Sequence, residues 1–250
     1  MHVFDLWKAV TIALATGVLV FNHAYAQQEP VAKASFEASG GGDSNKRGIG
    51  GGKGALLVPD LGELRLGGGV QGRKGIGEVS LALAVKSTRD LSGNASPGKP
   101  MIGASLVSTA DYLFAAGVLD WVKTFARNQD SHVSHFGLKF LLGGAGSRTG
   151  ELKDSASGLF LGASGEIEAE VVPRLLLGAS TRLGSTLHTA SSGKDFAFVE
   201  AAAWLKYFLG TKTYLRPEVA VEHVVVKRTN APNESITPVT GSLSIGVHLD

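Results

Sequence analysis

A long alternation of apolar and polar residues over residues 159–188 constrains the fold more than any other stretch of the chain. Apolar side chains occupy every second position over residues 159–171, and Glu166, Glu168 and Glu170 lie between them. Successive side chains of a β-strand point to opposite faces of the sheet, so the pattern predicts one apolar and one acidic face. The predicted strand is also longer than the roughly five or six residues that are usual in soluble sheets.

The two halves of this stretch predict an antiparallel hairpin. The alternation resumes at Leu175, and facing residues of an antiparallel pair must share one side of the sheet, so Val171 is expected opposite Leu175. Residues 172–174 would then form a three-residue loop in which Pro173 presets the backbone angle of the turn. Strands of this length, apolar on one side and charged on the other, favour a barrel that spans a membrane.

Composition excludes several classes of protein. The chain of 250 residues contains 34 glycines and no cysteine, and its formal charge is +2. The nearly balanced charge does not favour nucleic acid as a partner. The absence of cysteine excludes disulfide frameworks, thiol nucleophiles and lipid-modified cysteine anchors. The glycine content is typical of tight turns and crowded barrel interiors.

Residues 1–26 have the features of a signal peptide. Lys8 precedes an apolar run over residues 9–21, and Ala24-Tyr25-Ala26 matches the small-residue pattern of a cleavage site. The run is shorter than the roughly 20 residues of a membrane-spanning helix, which disfavours the alternative of a retained anchor. We therefore expect a mature chain that begins at Gln27, and no later segment is apolar enough for a transmembrane helix.

Residues 27–60 are rich in Gly, Ser and Lys and show no periodicity, which is typical of a flexible segment. Residues 47–54 superficially resemble a phosphate-binding loop. However, Arg47 stands where that motif begins with Gly, and Gly54 stands where a Ser or Thr would reach magnesium. The predicted organisation is a signal peptide (1–26), a flexible glycine-rich segment (27–60) and a β-barrel domain (61–250).

Eight strands of similar length are predicted in all. They cover residues 76–87, 101–114, 132–143, 158–171, 175–188, 196–209, 213–227 and 241–250. Their connections mostly alternate between long polar loops and short turns, which indicates an all-β fold, an antiparallel up-and-down transmembrane β-barrel. The connection over residues 115–131 is long where a short turn is expected. Adding strands at residues 61–71 and 119–125 gives a ten-stranded alternative, but eight strands fit the alternation better.

The two faces of the predicted strands should meet different surroundings. Five apolar residues are expected to face lipid: Leu81, Leu138, Leu161, Leu177 and Val221. The polar face carries a predicted lumenal charge network of Glu166, Glu168, Glu170, Arg182, Glu200, Lys206, Arg216, Glu218 and Glu222. An eight-stranded barrel is only wide enough for its own side chains, so mutual pairing of these charges, including Glu166 with Arg182, is favoured over a solute path.

Aromatic residues cluster near the ends of the predicted strands. They are Phe136, Phe196, Phe198, Trp204, Tyr207, Phe208 and Tyr214. This placement predicts the interfacial girdles of a membrane barrel. The alternative is a soluble secreted lipocalin-like binding barrel, whose apolar face would point inward.

The signal peptide, the glycine-rich alternating strands and the last strand resemble the small bacterial outer-membrane β-barrel proteins of the OmpA, OmpX and OmpW type. Residues 158–250 also resemble, more loosely, the YfaZ-type barrels. The resemblance implies location in the bacterial outer membrane after signal-peptide cleavage near Ala26. It also implies outer-membrane lipids and the barrel-assembly machinery as partners. No metal is expected, since the histidines show no metal-ligand spacing. No cofactor and no nucleic acid are expected either.

The expected function is non-enzymatic: envelope integrity, adhesion or limited passage of small solutes. An outer-membrane porin or channel is one alternative. A lipid-modifying outer-membrane hydrolase is another, because residues 132–135 and Glu222-His223 resemble the His, Ser and acid of barrels that deacylate lipid A. His132 and Ser134 would share one face, as a base and a nucleophile require, but no acid is positioned beside them.

Overall fold

The structure is a computed structural model that describes residues 33–58, 62–84, 99–125, 134–148, 152, 156–187, 194–228 and 232–249. The predicted signal peptide and its cleavage site lie outside these ranges. Among the described residues, no helix is long and apolar enough to cross a membrane.

All strands belong to one antiparallel sheet that closes on itself. The strands are β1 (Lys33–Asp43), β2 (Gly48–Val58), β3 (Gly62–Gln71), β4 (Lys74–Ala84), β5 (Lys99–Ser108), β6 (Tyr112–Phe125), β7 (Ser134–Ser147), β8 (Ser157–Val172), β9 (Leu175–Thr186), β10 (Lys194–Phe208), β11 (Thr213–Arg228), β12 (Glu234–Ile236) and β13 (Val239–Leu249). Each strand from β1 to β10 pairs with the next, β11 pairs with β13, and β13 pairs with β1. Closure satisfies the backbone of every long strand and leaves no open sheet edge.

The short strand β12 continues β13 rather than adding a position to the barrel. Both pair with β11 in one register, with Val224 opposite Ile236 and Val221 opposite Val239. The interruption falls at Pro238, which has no N–H to donate, although its carbonyl oxygen accepts a 3.1 Å hydrogen bond from Glu222 N. The closed barrel therefore has twelve strands.

The predictions of eight and of ten strands are both wrong. The predicted strand at residues 101–114 contains a chain reversal over residues 109–111, between β5 and β6. The other predicted strands each overlap a single strand of the structure. The ten-stranded alternative included β3 and part of β6, but β1 and β2 lie within residues 27–60, which were interpreted as flexible. Glycines on both faces of β1 and β2 remove the alternation by which a strand is recognised.

The missed reversal also changes the arrangement of the loops. We call the end of the barrel where β1 begins and β13 finishes the terminal end, and the opposite end the far end. The long connection between β4 and β5 joins strands at the terminal end, whereas the connection between β7 and β8 joins strands at the far end. The sequence interpretation had placed both of these long loops on one side.

The hairpin of β8 and β9 follows its predicted register but has a different turn. Glu166 lies opposite Ser180, as the alternation requires. The turn contains only Pro173 and Arg174, and the pairing is irregular between Glu170 and Val172. This β-bulge adds one residue to β8. The two-residue turn therefore still leaves paired residues of β8 and β9 on the same side of the sheet, as the predicted three-residue loop would have done.

The outer face of the barrel is apolar. Leu81, Leu138, Leu161 and Leu177 are exposed, and Val221 lies on the same face of β11 as the 56% exposed Val219. Other exposed apolar side chains continue the band around the barrel: Val79, Ile102, Leu106, Leu119, Phe140, Leu142, Leu243 and Ile245. A soluble barrel would not expose an apolar surface of this extent, which disfavours the lipocalin-like alternative.

Most outward aromatic residues of the described strands lie near the terminal end, whereas Phe140 faces outward opposite Leu119 in the middle of β6. Phe36 and Tyr207 are exposed near the terminal end, and Trp121 packs edge-to-face against Phe136 at 5.7 Å. The girdle prediction holds for Phe136 and Tyr207 but is wrong for the remaining aromatics that it included. Phe196, Phe198, Trp204, Phe208 and Tyr214 are buried inside the barrel. Their alternation with outward apolar residues fixes this inward direction.

Candidate functional site

The middle of the barrel interior is crossed by an ion pair between strands that are not neighbours. Arg65 on β3 donates from Nη1 to Glu166 Oε2 on β8 at 3.0 Å. The Arg65 Nε also donates to Glu63 Oε1 at 2.6 Å, and Glu166 Oε1 lies 2.9 Å from His135 Nε2. Since five positions around the barrel separate β3 from β8, this bridge spans the lumen.

The predicted pairing of Glu166 with Arg182 does not form. Arg182 instead points its Nη1 at Glu200 Oε2, at 3.4 Å, and Tyr112 donates its hydroxyl hydrogen to the same carboxylate oxygen at 2.8 Å. Sequence reasoning missed Arg65 because its strand alternates weakly, with glycine at several positions that follow it.

A second group of charges fills the interior near the terminal end. Glu168 accepts hydrogen bonds from Trp204 Nε1 at 2.7 Å and from Lys206 Nζ at 2.6 Å. These predicted residues therefore meet across β8 and β10. The side chains of Lys206 and Glu168 are only 10% and 6% exposed. Because both are buried, removal of either would leave the other as an unpaired buried charge.

Arg216 occupies the neighbouring part of the same group. Its guanidinium lies 3.1 Å from Glu37 and 2.6 Å from Glu218, and 4.3 Å from the centre of the Trp204 ring. Glu37 is also 2.9 Å from Lys53. Sequence reasoning missed Glu37 and Lys53 because both lie in the segment interpreted as flexible.

Two predicted members of the network lie apart from these pairs. Glu170 sits beside the β8–β9 turn, where its Oε1 accepts a 3.0 Å hydrogen bond from Arg174 N. Glu222 lies near the far end, and its hydrogen bond from Thr109 Oγ1 is long, at 3.5 Å. Among the described residues, Glu222 touches no predicted cation.

Inward aromatic side chains form a block toward the far end. The rings of Tyr112 and Phe198 stack at 4.1 Å, and Phe160 stacks on Phe114 at 5.3 Å. Gly184 is required beside this block, because a Cβ there would collide with the Phe160 ring. The block fills the β6–β11 side of the interior with carbon rather than water.

The far end carries an ion cluster that we call the latch, formed by Asp43, Arg47 and Asp111. Arg47, in the turn after β1, binds both carboxylate oxygens of Asp111 at 3.0 and 2.9 Å and also pairs with Asp43. The latch thus ties the β1–β2 turn to the β5–β6 turn. Burial alone would lower the pKa of Arg47, but the hydrogen bonds and charges of Asp111 and Asp43 hold it above its ordinary value.

Arg148 adds a further tie at this end. Its Nη1 donates to Gly75 O at 2.8 Å, Ser108 Oγ at 3.0 Å and Thr109 O at 2.6 Å. Lys74 Nζ donates to Ala110 O at 2.6 Å. Lys74 on β4 and Arg148 after β7 therefore both donate hydrogen bonds to the turn between β5 and β6. These polar contacts join three parts of the far end.

A polar cavity of about 70 Å³ remains in the middle of the interior. Arg65, Lys139 and Arg182 line it together with Glu78, Glu166 and Glu200. Serine hydroxyls make up much of the remaining wall. The arrangement can hold water or a small polar solute.

The histidines highlighted by the hydrolase alternative are separated in the structure. His135 faces inward onto Glu166, whereas His223 Nδ1 lies 2.7 Å from Thr237 Oγ1 in an exposed position. His132 lies outside the described residues. Within those residues, no group of three acidic, histidine or cysteine side chains could hold a metal ion. The absence of enzymatic activity stays a prediction.

A double-mutant cycle separates the observed cross-lumen pair from the predicted one. Arg65→Met deprives Glu166 of its cation, so we expect the variant to unfold more easily and Glu166→Gln to recover part of the loss. We expect a coupling free energy of about 1 kcal/mol, since the two side chains are 28% and 27% exposed. Urea unfolding of the refolded protein in micelles measures it.

The same cycle on Arg182→Met and Glu166→Gln is the control. Because Arg182 contacts Glu200 rather than Glu166, these two changes should add to within about 0.5 kcal/mol. If the coupling free energy with Glu166 is larger for Arg182 than for Arg65, the pairing predicted from the sequence is correct.

No protein-family model matches the chain, and no curated protein sequence matches it significantly. Among solved structures, the NanC porin is similar at 14% identity and a TM-score of 0.47, over 86% of this chain and 99% of that chain. The KdgM porin is similar at 14% identity and a TM-score of 0.45, over 86% and 98%. OmpT, an outer-membrane protein of Vibrio cholerae, has 8% identity and a TM-score of 0.36, over 87% and 98%. These neighbours are outer-membrane β-barrel proteins, and the finer resemblance to the OmpA, OmpX and OmpW group stays a prediction.

Proposed function

We propose that the protein is an outer-membrane β-barrel that admits only very small hydrophilic solutes. The observation that carries this proposal is the contrast between the two faces of one closed sheet. The outer face exposes an apolar band, while the inner face carries ion pairs, hydroxyls and a polar cavity. A closed barrel satisfies its own backbone hydrogen bonds, as hydrocarbon requires of any spanning structure.

Strand length supports the membrane location. The shortest barrel strands contain 10 residues and the longest contain 16. A tilted strand of about 9–11 residues is sufficient to cross the hydrocarbon core. The outward aromatics Phe36, Trp121, Phe136 and Tyr207 lie near the terminal ends of their strands, where an interface would favour amphipathic rings.

Barrel width and filling together favour restricted passage. Twelve strands enclose more space than the roughly eight whose side chains just fill the bore, but less than the 16–18 of open porins. Here the aromatic block and the bridge from Arg65 to Glu166 fill part of that space, and the latch joins two turns at its far end. Passage of very small solutes is therefore favoured over adhesion or a purely structural role, because neither of these functions requires a polar cavity inside the barrel.

Single-channel recording in planar lipid bilayers tests this function. We expect a small conductance for the purified wild-type protein, well below that of a sixteen-stranded porin recorded in parallel. Phe198→Ala removes a ring from the aromatic block and should raise the conductance, because that ring fills the interior. Heat-modifiable gel mobility confirms that each sample is folded.

Phe140→Ala is the matched control, since it makes the same change on the outer face, where Phe140 is 60% exposed. Its conductance should equal that of the wild type. A large, stable wild-type conductance would instead identify an open porin. No conductance in either wild type or Phe198→Ala would leave a structural barrel as the function.

A further inference from the structure

We propose that the cavity in the middle of the barrel binds a small zwitterionic solute, one with an ammonium and a carboxylate group a few bonds apart. The inference rests on the proposed function of small-solute passage and names the class of solute. It is built from the charges, the unpartnered groups and the volume of this one cavity.

The Arg, Lys and Glu side chains that line the cavity balance in charge. Arg65, Lys139 and Arg182 supply three cations, and Glu78, Glu166 and Glu200 supply three carboxylates, while His135 lines the cavity beside Glu166. With His135 neutral, such a lining gives no advantage to a simple anion or a simple cation. A solute that carries both charges can meet both kinds of wall at once.

Glu78 provides a carboxylate that no described cation contacts, although its charge interacts at longer range with Arg65 and Arg182. It lies on β4 and makes no hydrogen bond or ion pair with any described residue, although it lines the cavity. An unpaired carboxylate in a confined interior is costly unless water or a cation approaches it. An ammonium group of the solute would satisfy it.

Arg182 provides the complementary cation on β9, five positions around the barrel from β4. Its contact with Glu200 is long, at 3.4 Å. A guanidinium carries five N–H donors in a planar fork, so Arg182 keeps donors for a carboxylate of the solute. Glu78 and Arg182 therefore define the two poles of the site.

Buried hydroxyls add a second, independent sign of a missing partner. Ser80 is 5% and Ser105 is 9% exposed, and both line the cavity without a hydrogen bond to any described residue. Ser164 and Ser180 on the opposite wall are also without a partner in the described chain. Buried polar groups are usually hydrogen-bonded, so these hydroxyls point to an occupant.

The volume limits the occupant to a few atoms. One water molecule needs about 10–15 Å³ of water-accessible space, so the roughly 70 Å³ of this cavity holds only a few water molecules. A sugar is too large for this space, whereas the smallest amino acid is of suitable size. Water alone is the remaining occupant and is one outcome of the test.

Saturation-transfer NMR on the detergent-solubilised full chain tests binding apart from passage. The probes are glycine and its neutral isomer glycolamide, which has the same atoms but no charges. We expect saturation transfer to glycine and not to glycolamide. Glu78→Gln should weaken glycine binding by about tenfold or more, because it removes the group that receives the ammonium.

Glu170→Gln is the matched control, since the same change beside the β8–β9 turn lies outside the cavity and should leave glycine binding unchanged. Equal signals from the two probes, or full glycine binding by Glu78→Gln, would overturn the proposal, because the solute would then not be selected by its charges. No signal from either probe would also overturn it and would leave water as the occupant. Bilayer conductance separates the two claims. Binding without conductance removes the proposed function alone, and conductance without selective binding removes this inference alone.

Discussion

Leu119→Arg is expected to destabilise the folded barrel by about 2–4 kcal/mol when it is embedded in lipid vesicles. Leu119 lies near the centre of β6, faces outward and is 53% exposed. A guanidinium here would have to leave water for hydrocarbon, and its cross-strand neighbours among the described residues, Ile102 and Phe140, are apolar. Urea titration of folding into phospholipid vesicles, followed by heat-modifiable gel mobility, measures the loss.

Leu177→Arg supplies the depth control for this prediction. Leu177 also faces outward, but it is the third residue of β9, close to the terminal end. Near the membrane interface the penalty for Arg falls to about 0–1 kcal/mol, because the side chain can reach water. Losses of no more than about 1 kcal/mol at both positions would mean that the outer face does not meet hydrocarbon.

The sequence predicts the fold class because that class depends on a local pattern. The period of two over β8, β9 and β10 requires one apolar and one polar face, whatever the rest of the chain does. The long hairpins then favour a barrel. The outward direction of Leu81, Leu138, Leu161 and Leu177 follows from the same period.

The number of strands could not be read in the same way. In β1 and β2 the glycines at positions 40–42 and 50–52 leave no contrast between the faces, so two strands resemble a linker. The β5–β6 reversal contains neither glycine nor proline. It is held by Thr109, whose Oγ1 accepts hydrogen bonds from Asp111 N at 3.2 Å and Tyr112 N at 3.1 Å. Such a threonine-based turn is a weaker sequence signal than glycine or proline.

In the interior, some contacts follow from the local sequence pattern, whereas others depend on how the whole barrel is arranged. Alternation predicts which residues face inward, and the adjacent pair Arg182 and Glu200 follows from register alone. The bridge between Arg65 and Glu166 depends on which strands stand opposite each other. That depends on the strand number, so an eight-stranded interpretation necessarily paired Glu166 with a neighbour.

Arg47→Met is expected to destabilise the barrel by about 3 kcal/mol or more, because it leaves two buried carboxylates without their cation. The side chains of Asp43 and Asp111 are 0% and 1% exposed, and that of Arg47 is 14% exposed. Urea unfolding measures the loss. Since the latch joins the β1–β2 turn to the β5–β6 turn, the bilayer conductance of the folded fraction should also rise.

Lys46→Met provides the matched control, because it removes a positive charge from the same turn at an exposed position. It should change the free energy of unfolding by no more than about 0.5 kcal/mol. Arg47→Lys should fall between the two, since an ammonium keeps the charge but cannot bind both oxygens of Asp111 in a planar fork. If Arg47→Met and Lys46→Met behave alike, the latch does not hold the far end, and closure must come from the aromatic block.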